Sequence, residues 1–323
     1  MRKEVFIAIV VGSVLGVVIA YGAWRANSAI TNKGPRFNTS EQAEDNSPKA
    51  VDGLSLSLVE PVNYQVLVSE PTNFNGIARA NSYVYVSGEG SDYFAKTDEQ
   101  GKFNLGVGLI GGVNEVLVGS FDASGVGETE GLLLVYSTEY EIEEDRVEAA
   151  KNKPISYIGT VTDIASGTFQ LSRFSLNNKS GENGDILQVS INEELTDFVK
   201  IDTSTRTIGV SDVAIGDFIV AMGVADERGV LEAKRVLIIS AVQPFVRKKT
   251  IGDAIEVSSN GITIESDGEQ YEFDFIRSTD IVTLDEEGEM EAIRYTNIED
   301  GDRVFVISYE DEGDTIARSV FVI

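Results

Sequence analysis

The segment VAIGDFIVAMGV at 213–224 is followed by LEAKRVLII at 231–239. The same order returns as IEDGDRVFVI at 298–307, followed by TIARSVFVI at 315–323. In both copies a Gly-Asp pair precedes an apolar run, and an alanine followed by a basic residue lies in the next run. Two apolar runs joined by turn residues, occurring twice, predict an internal duplication of a β module.

Each copy of the duplicated module extends upstream to a first strand. ISYIGTVTDI begins at Ile155 and TIGDAIEV begins at Thr250, and a strand that opens with glycine follows each of them. The copies therefore cover 155–243 and 249–323, and each predicts a small antiparallel barrel. This order of strands, with a Gly-Asp turn before a core strand, resembles OB-like barrel domains of unknown function in bacterial envelope proteins.

The region before the duplication has a different strand pattern. Leu54, Leu56 and Leu58 alternate with serine, and further short apolar runs follow, separated by turn residues. About seven such runs with turns roughly every ten residues predict a β-sandwich over 53–138. The fold class expected for the chain is therefore all-β: one sandwich and two small barrels, preceded by one transmembrane α-helix.

Four segments of the sandwich region occur in a fixed order. Gly76 precedes VYVSG at 84–88, and TDEQGKF at 97–103, GGVNEV at 111–116 and DASG at 122–125 follow. This succession resembles the bacterial immunoglobulin-like domains of cell-surface proteins, in particular the type appended to glucodextranase-like enzymes. The resemblance implies a spacer or binding module, and it does not imply hydrolysis, because it is to an appendage and not to a catalytic domain.

Residues of these segments also have roles that follow from their chemistry. Asp98 and Gly101 are typical of a turn that needs a side-chain acceptor and a permissive backbone. Asn114 is expected to bond loop backbone, and Phe103 and Val116 are expected to face the core. The segment GVGLIG at 106–111 spells GxGxxG, but a strand follows it and no helix, so no dinucleotide site is predicted.

The N-terminal stretch VFIAIVVGSVLGVVIAYGAW at 5–24 is apolar and uncharged. A helix of that length spans a hydrocarbon core of about 30 Å, so the sequence predicts a membrane anchor at 1–25. Basic residues before it and acidic sequence after it predict a cytoplasmic N-terminus and extracytoplasmic C-terminal domains. A cleaved signal peptide is the alternative. Gly12 and Gly16 form GxxxG, which suggests a helix-mediated homodimer.

Two segments predict no module of their own. Residues 26–52 are polar and lack a hydrophobic period, which predicts a disordered linker. Residues 139–154, EYEIEEDRVEAAKNKP, have a composition that favours a short helix or strut and are interpreted as a connector.

Composition removes most enzyme classes. The chain has no cysteine and no histidine, so thiolate nucleophiles, zinc sites and histidine-based triads are excluded. The net charge of −27 repels phosphate backbones, so no nucleic-acid partner is expected. We therefore expect no catalytic residue and no cofactor. Calcium is the one ion considered, through the acidic loops at 285–289 and 311–314, although neither matches an EF-hand loop.

Three functions follow from these observations. The first is a non-catalytic, membrane-anchored envelope protein that acts as a scaffold, spacer or adhesion module for other envelope proteins. The second is a cell-wall or carbohydrate-binding surface protein, for which Tyr83, Tyr85, Tyr93 and Phe94 are the candidate exposed aromatics. The third, a carboxylate hydrolase, requires two close carboxylates in a deep pocket, one with a raised pKa.

Overall fold

The computed structural model describes residues 56–125, 127–140, 153–176 and 185–323. The first eight strands are β1 (Ser57–Glu60), β2 (Val66–Leu67), β3 (Thr72–Ile77), β4 (Tyr83–Ser87), β5 (Asp92–Lys96), β6 (Lys102–Val107), β7 (Gly112–Phe121) and β8 (Gly127–Tyr136). They form a three-stranded sheet, β1-β3-β6, and a five-stranded sheet, β2-β8-β7-β4-β5. All neighbouring strands are antiparallel except β2 and β8.

The two sheets pack face to face around one core. Phe74 of the three-stranded sheet contacts a cluster that includes Val86, Val116 and Leu134 of the five-stranded sheet, and all four are fully buried. Asn114 accepts a hydrogen bond from the N–H of Ile110 and donates to two loop carbonyls, which confirms the expected loop contact. Region 57–136 is therefore a two-sheet sandwich.

The next strands form a closed barrel. They are β9 (Ile155–Ala165), β10 (Thr168–Arg173), β11 (Ile186–Ile191), β12 (Asp197–Ile201), β13 (Thr205–Thr207), β14 (Phe218–Ala225) and β15 (Val230–Ile239). Their order is β11-β10-β9-β14-β15-β12-β13, and a parallel pairing of β11 with β15 closes the ring. Phe169, Leu171, Ile219 and Val236 lie in the core of this first barrel.

A second closed barrel follows. Its strands are β16 (Lys248–Val257), β17 (Gly261–Ser266), β18 (Glu269–Leu284), β19 (Met290–Ala292), β20 (Arg303–Asp311) and β21 (Asp314–Val322). Their order is β17-β16-β20-β21-β18-β19, and the pairing of β17 with β18 closes the ring. Ile262, Ile264, Val304 and Val320 lie in its core. The long strand β18 occupies the place that β11 and β12 share in the first barrel.

Equivalent hydrogen bonds mark the repetition. Thr196 donates its hydroxyl to the carbonyl of Ala233, and Thr279 donates to the carbonyl of Ala317, each at 2.7 Å. In both Gly-Asp turns the glycine has a positive φ, 96° in the first copy and 90° in the second. The two halves of the duplicated sequence thus build the same strand order with the same turn chemistry.

Several sequence predictions lie outside the described residues. They are the transmembrane helix at 5–24, the GxxxG dimer residues Gly12 and Gly16, the linker at 26–52 and most of the connector at 139–154. Of the connector, Tyr140 is buried beside the first barrel and Glu139 pairs with Arg235.

The predicted fold class is corrected in one respect. In the described ranges no helix is long and apolar enough to cross a membrane, and the only helical elements there are 3-10 turns at Val210–Asp212 and Tyr295–Asn297. The physical reason is that apolar residues of these ranges alternate along strands and are spread over sheet faces. The described ranges are all-β, and the predicted transmembrane helix has no counterpart in them. The predicted localisation, a single-pass membrane protein with extracytoplasmic C-terminal domains, is likewise corrected, since no described helix could supply that single span.

Candidate functional site

The barrels meet the sandwich at two junctions, and both lie on its five-stranded sheet. At the first junction, Leu133 and Val135 of β8 pack against Ile158, Val220 and Met222 of the first barrel. The main chain continues this contact, since the N–H groups of Val66 and Ser156 donate to the carbonyls of Pro154 and Tyr64 at 2.9 and 2.7 Å. The sandwich and the first barrel are therefore joined by both apolar packing and backbone hydrogen bonds.

The second junction is aromatic. Phe94 of β5 stacks on Phe321 of β21 with ring centroids 4.6 Å apart, and Phe121 of β7 stacks on Phe305 of β20 at 4.2 Å. Tyr85 lies 5.1 Å from the ring of Phe305, and burial raises the pKa of its hydroxyl to about 12. Stacked rings of this kind add to the stabilisation from burying apolar area.

The two barrels use the same face for these contacts. Within β14, Ile219 faces the barrel core and Val220 faces the sandwich, and within β20 the corresponding residues are Val304 and Phe305. Strand registry establishes the correspondence, because Ile219 and Val304 each pair with a glycine of the first strand in their barrel, Gly159 and Gly252. One sheet of the sandwich thus receives equivalent faces of both copies.

This arrangement buries residues that the sequence offered as exposed glycan contacts. Tyr85 is 3% exposed and Phe94 is 1% exposed, while Tyr83 and Tyr93 are half-buried. The hydroxyl of Tyr93 accepts a hydrogen bond from the N–H of Gly108. A signal was available in the sequence, because both alternating positions of YVYV at 83–86 are apolar or aromatic, which is typical of a strand covered on both faces.

A buried group of charges lies beside the aromatic junction. Asp92 accepts hydrogen bonds from the hydroxyls of Ser87 and Ser319 at 2.6 and 2.8 Å, and its carboxylate is 3.3 Å from Nε of Arg318. The side chain of Asp92 is 1% exposed. Asp280 is close enough that Asp92 adds to the effect of burial in raising the pKa of Asp280, whereas Arg318 opposes both.

A second ion pair adjoins this group. Nη1 of Arg247 lies 3.8 Å from Oε1 of Glu115, and the two side chains are 1% and 6% exposed. Burial raises the pKa of Glu115, while the N–H of Phe245 and the charge of Arg247 lower it. Arg247 and Arg318 both donate to the carbonyl of Gly88. We call Asp92, Glu115, Arg247 and Arg318 the junction charges.

Sequence reasoning did not identify the junction charges. Glu115 lies in the run VNEVLV at 113–118, where it and Asn114 are the only polar residues. A charge inside a strand that is covered on both faces requires a partner, so that position could have been singled out. Its partner Arg247 lies beyond the first barrel in the chain and has no local signal.

A cavity of about 180 Å³ lies at the edge of the first junction. Its lining comes from the loop before β2 and from strands β9, β10 and β11: Asn63, Tyr64, Ile155, Ser156, Tyr157, Arg173 and Leu187. The guanidinium of Arg173 lies over the ring of Tyr64 at 5.3 Å, and its Nε is buried without a hydrogen-bond partner. Burial raises the pKa of Tyr157, and the charge of Arg173 opposes that increase.

A smaller cavity of about 130 Å³ adjoins the second junction. It is lined by Tyr85, Ser87, Leu117, Thr129, Arg247, Lys248, Lys249 and Ile307. Neither cavity has a carboxylate in its lining, so neither provides the pair of carboxylates that a hydrolase of the predicted type needs.

The acidic loops considered for calcium form turns. Oδ1 of Asp285 accepts the N–H groups of Glu287 and Glu289, each at 2.9 Å. Among the residues that the structure describes, no three acidic side chains come together as a metal-binding group. The geometry of the described residues therefore adds no support for calcium.

Within the described ranges these features define an all-β fold made of a sandwich and two duplicated barrels. The chain matches no protein-family model and no curated protein. The resemblance to immunoglobulin-like and OB-like domains therefore stays a prediction.

Proposed function

We propose that the chain is a non-catalytic scaffold or spacer that presents three β modules to protein partners in one fixed arrangement. The observation that supports this most directly is the use of equivalent barrel faces on one sheet of the sandwich. A barrel that binds its ligand independently does not need to bury its outer strands against a neighbour. In this chain both barrels do so, which favours a role in which the relative position of the modules matters.

The junction charges add directional constraint to the apolar contacts. Apolar packing alone tolerates sliding, but Asp92 must meet the hydroxyl of Ser319 and the guanidinium of Arg318 of the second barrel at the same time. A buried ion that is left without its partner is strongly destabilising. The second junction therefore has one geometry that satisfies its charges.

The net charge of −27 favours partners with basic or neutral contact surfaces. Glycan binding was expected to use a row of exposed aromatic residues. Two of the four candidates, Tyr85 and Phe94, are buried because the second barrel covers them. For this reason we place protein partners ahead of glycan.

The test is crosslinking in the native cells, followed by mass spectrometry of the attached material, with wild type and the double variant Phe305→Ala/Phe321→Ala. We expect defined proteins on the wild type and their loss from the variant. As a matched control, Tyr271→Ala truncates an exposed aromatic of the same barrel. If the wild type captures glycan-linked material and no protein, the glycan-binding alternative replaces the scaffold function. If Phe305→Ala/Phe321→Ala captures the same proteins as the wild type does, partner binding does not need a fixed arrangement of the modules.

A further inference from the structure

The cavity at the first junction contains an arginine without an acidic partner. Seven arginines of the described residues have a carboxylate oxygen within ion-pair distance. Within these same ranges Arg173, Arg277 and Arg294 have none, and of these three only Arg173 is not exposed. A half-buried arginine without a carboxylate is informative in a chain that contains 53 acidic and 26 basic residues.

The guanidinium of Arg173 is held in place on one face, but the edge that carries Nε makes no hydrogen bond. Its guanidinium lies over the face of Tyr64, which holds the plane of the group. Its buried Nε has no acceptor, and a buried donor left without a partner is costly. A carboxylate matches the edge of a guanidinium with two parallel hydrogen bonds, so it is the anion that this group fits best.

The hydroxyl groups around Arg173 donate to the protein backbone. Tyr157 donates to the carbonyl of Gly229 at 2.8 Å. Ser156 donates to the carbonyl of Tyr64 at 3.0 Å and is fully buried, so its hydroxyl is not offered to a ligand. Because the hydroxyl of Tyr157 has used its proton, its oxygen can only accept from a ligand in this arrangement. The cavity therefore combines one cationic donor with a phenolic oxygen that accepts a hydrogen bond from a ligand hydroxyl group.

Asn63 adds a neutral donor to this lining. Its Oδ1 accepts the N–H of Leu133 at 2.9 Å, and its amide nitrogen has no hydrogen bond to the residues that the structure describes. Ile155 and Leu187 supply apolar surface. A volume of about 180 Å³ is below the range of drug-sized pockets, which suits a molecule of monosaccharide size.

Electrostatic competition inside the cavity is small. Asp226 is the acid that acts on Tyr157, and its Oδ2 is 2.7 Å from Nη2 of Arg228, so it is already paired. We propose that this cavity binds a small hydroxylated carboxylic acid, with the carboxylate on Arg173 and one of its hydroxyl groups on the oxygen of Tyr157. Ligand binding in this cavity does not depend on the scaffold function.

The test uses the full-length protein and follows the Nε–H signal of Arg173 by NMR, assigned with the variant Arg173→Lys. The probes are sodium glucuronate, sodium acetate, glucose and sodium sulfate at matched ionic strength. We expect glucuronate to shift the signal and to saturate at a lower concentration than acetate, and we expect glucose to leave it unchanged. If neither carboxylate moves the signal more than sodium chloride does, or if sulfate binds as tightly as glucuronate, the proposal fails.

Affinity measured by calorimetry separates binding from folding. Arg173→Gln should weaken glucuronate binding at least about tenfold, since it removes a charge-assisted hydrogen-bond pair. Arg173→Lys keeps the charge but lacks the planar guanidinium, so its affinity for glucuronate should lie between those of the wild type and Arg173→Gln. Arg277→Gln, at an exposed arginine that also lacks an acidic partner, is the matched control and should bind as the wild type does. An unchanged affinity in Arg173→Gln with an unchanged unfolding temperature would contradict the assignment.

Discussion

Phe121 of the sandwich and Phe305 of the second barrel form a stacked pair, with ring planes 12° from parallel and centroids 4.2 Å apart. Neither ring lies in the core of its own module, because Val116 and Val304 and their neighbours form those cores. The pair therefore reports on the contact between modules rather than on the folding of either one.

Phe305→Ala should reduce the free energy of unfolding by about 3–5 kcal/mol, the usual cost of removing a buried phenylalanine ring. The measurement is urea denaturation of the full chain, followed by circular dichroism and by tyrosine fluorescence. Tyr271→Ala is the control on an exposed ring, and it should change stability by less than about 0.5 kcal/mol. A cost for Phe305→Ala no larger than that of the control would show that the junction contributes little to stability.

Gly125 offers a second test of this junction, at a different point. It has a φ of +88°, and a Cβ added there would lie 2.2 Å from Cγ2 of Ile251 in the second barrel. Gly288 has a similar φ of +83° and no atom within 4 Å of an added Cβ, so Gly288→Ala measures backbone strain alone. That strain is about 1–2 kcal/mol.

Gly125→Ala should therefore cost more than Gly288→Ala in urea denaturation. The added variant Ile251→Ala should cost less in the Gly125→Ala background than in the wild type, since it removes the clashing methyl group. Equal costs for the two glycine variants would mean that the turn does not contact the barrel in solution.

The junction charges predict a distinct pH dependence. Burial raises the pKa of Glu115 above its ordinary value of 4.5. Between the ordinary and the raised pKa the folded state holds more protons than the unfolded state, so the free energy of unfolding falls as pH rises through this interval. Below 4.5 both states are protonated, and the penalty disappears.

The measurement is the stability difference between wild type and Glu115→Gln, taken at several pH values from 4 upward. Relative to this variant, the wild type should lose stability as pH rises. Glu310→Gln is a control with the opposite and smaller slope, because the exposed Glu310 has its pKa lowered by Lys248. A flat or rising difference for Glu115 would contradict the burial of its charge.

Arg247 and Glu115 should also show strong coupling. Removing one partner of a buried ion pair costs about 3–5 kcal/mol, because the other charge is left unpaired, whereas removing both costs less. We expect Arg247→Met to be strongly destabilising and Arg247→Met/Glu115→Leu to be less so. The exposed pair Arg206–Asp202 is the matched control, and a surface pair contributes at most about 1 kcal/mol. Additive effects at Arg247 and Glu115 would argue against a shared buried site.

Much of the local structure could be predicted from the sequence, because it depends on neighbours in the chain. The turn at Asp98 is an example: its Oδ1 accepts the N–H groups of Gln100 and Lys102, and Gly101 has a φ of 78°. The repeated Gly-Asp turns are visible in the same way. The predicted membrane helix, by contrast, has no counterpart in the described part of the chain.

The junctions could not be predicted, because alternation shows that a residue is buried without showing what covers it. In the sequence, Val220 and Phe305 cannot be distinguished from other apolar strand residues. Only the strand registry shows that they occupy equivalent positions in the two barrels. Arg173 was missed for the same reason, since its relation to Tyr64 depends on the contact between two modules. The candidate site is therefore almost entirely a product of long-range packing.

The coverage of the five-stranded sheet has a consequence for synthesis on the ribosome. Tyr85, Phe94 and Phe121 are made well before β20 and β21, the strands that cover them. Until those strands have been translated, the aromatic patch on the sandwich has no cover, and such a surface on a nascent chain is prone to aggregation. The growing polypeptide therefore passes through a stage in which this aromatic surface is uncovered, and that stage ends only when the second barrel has been made.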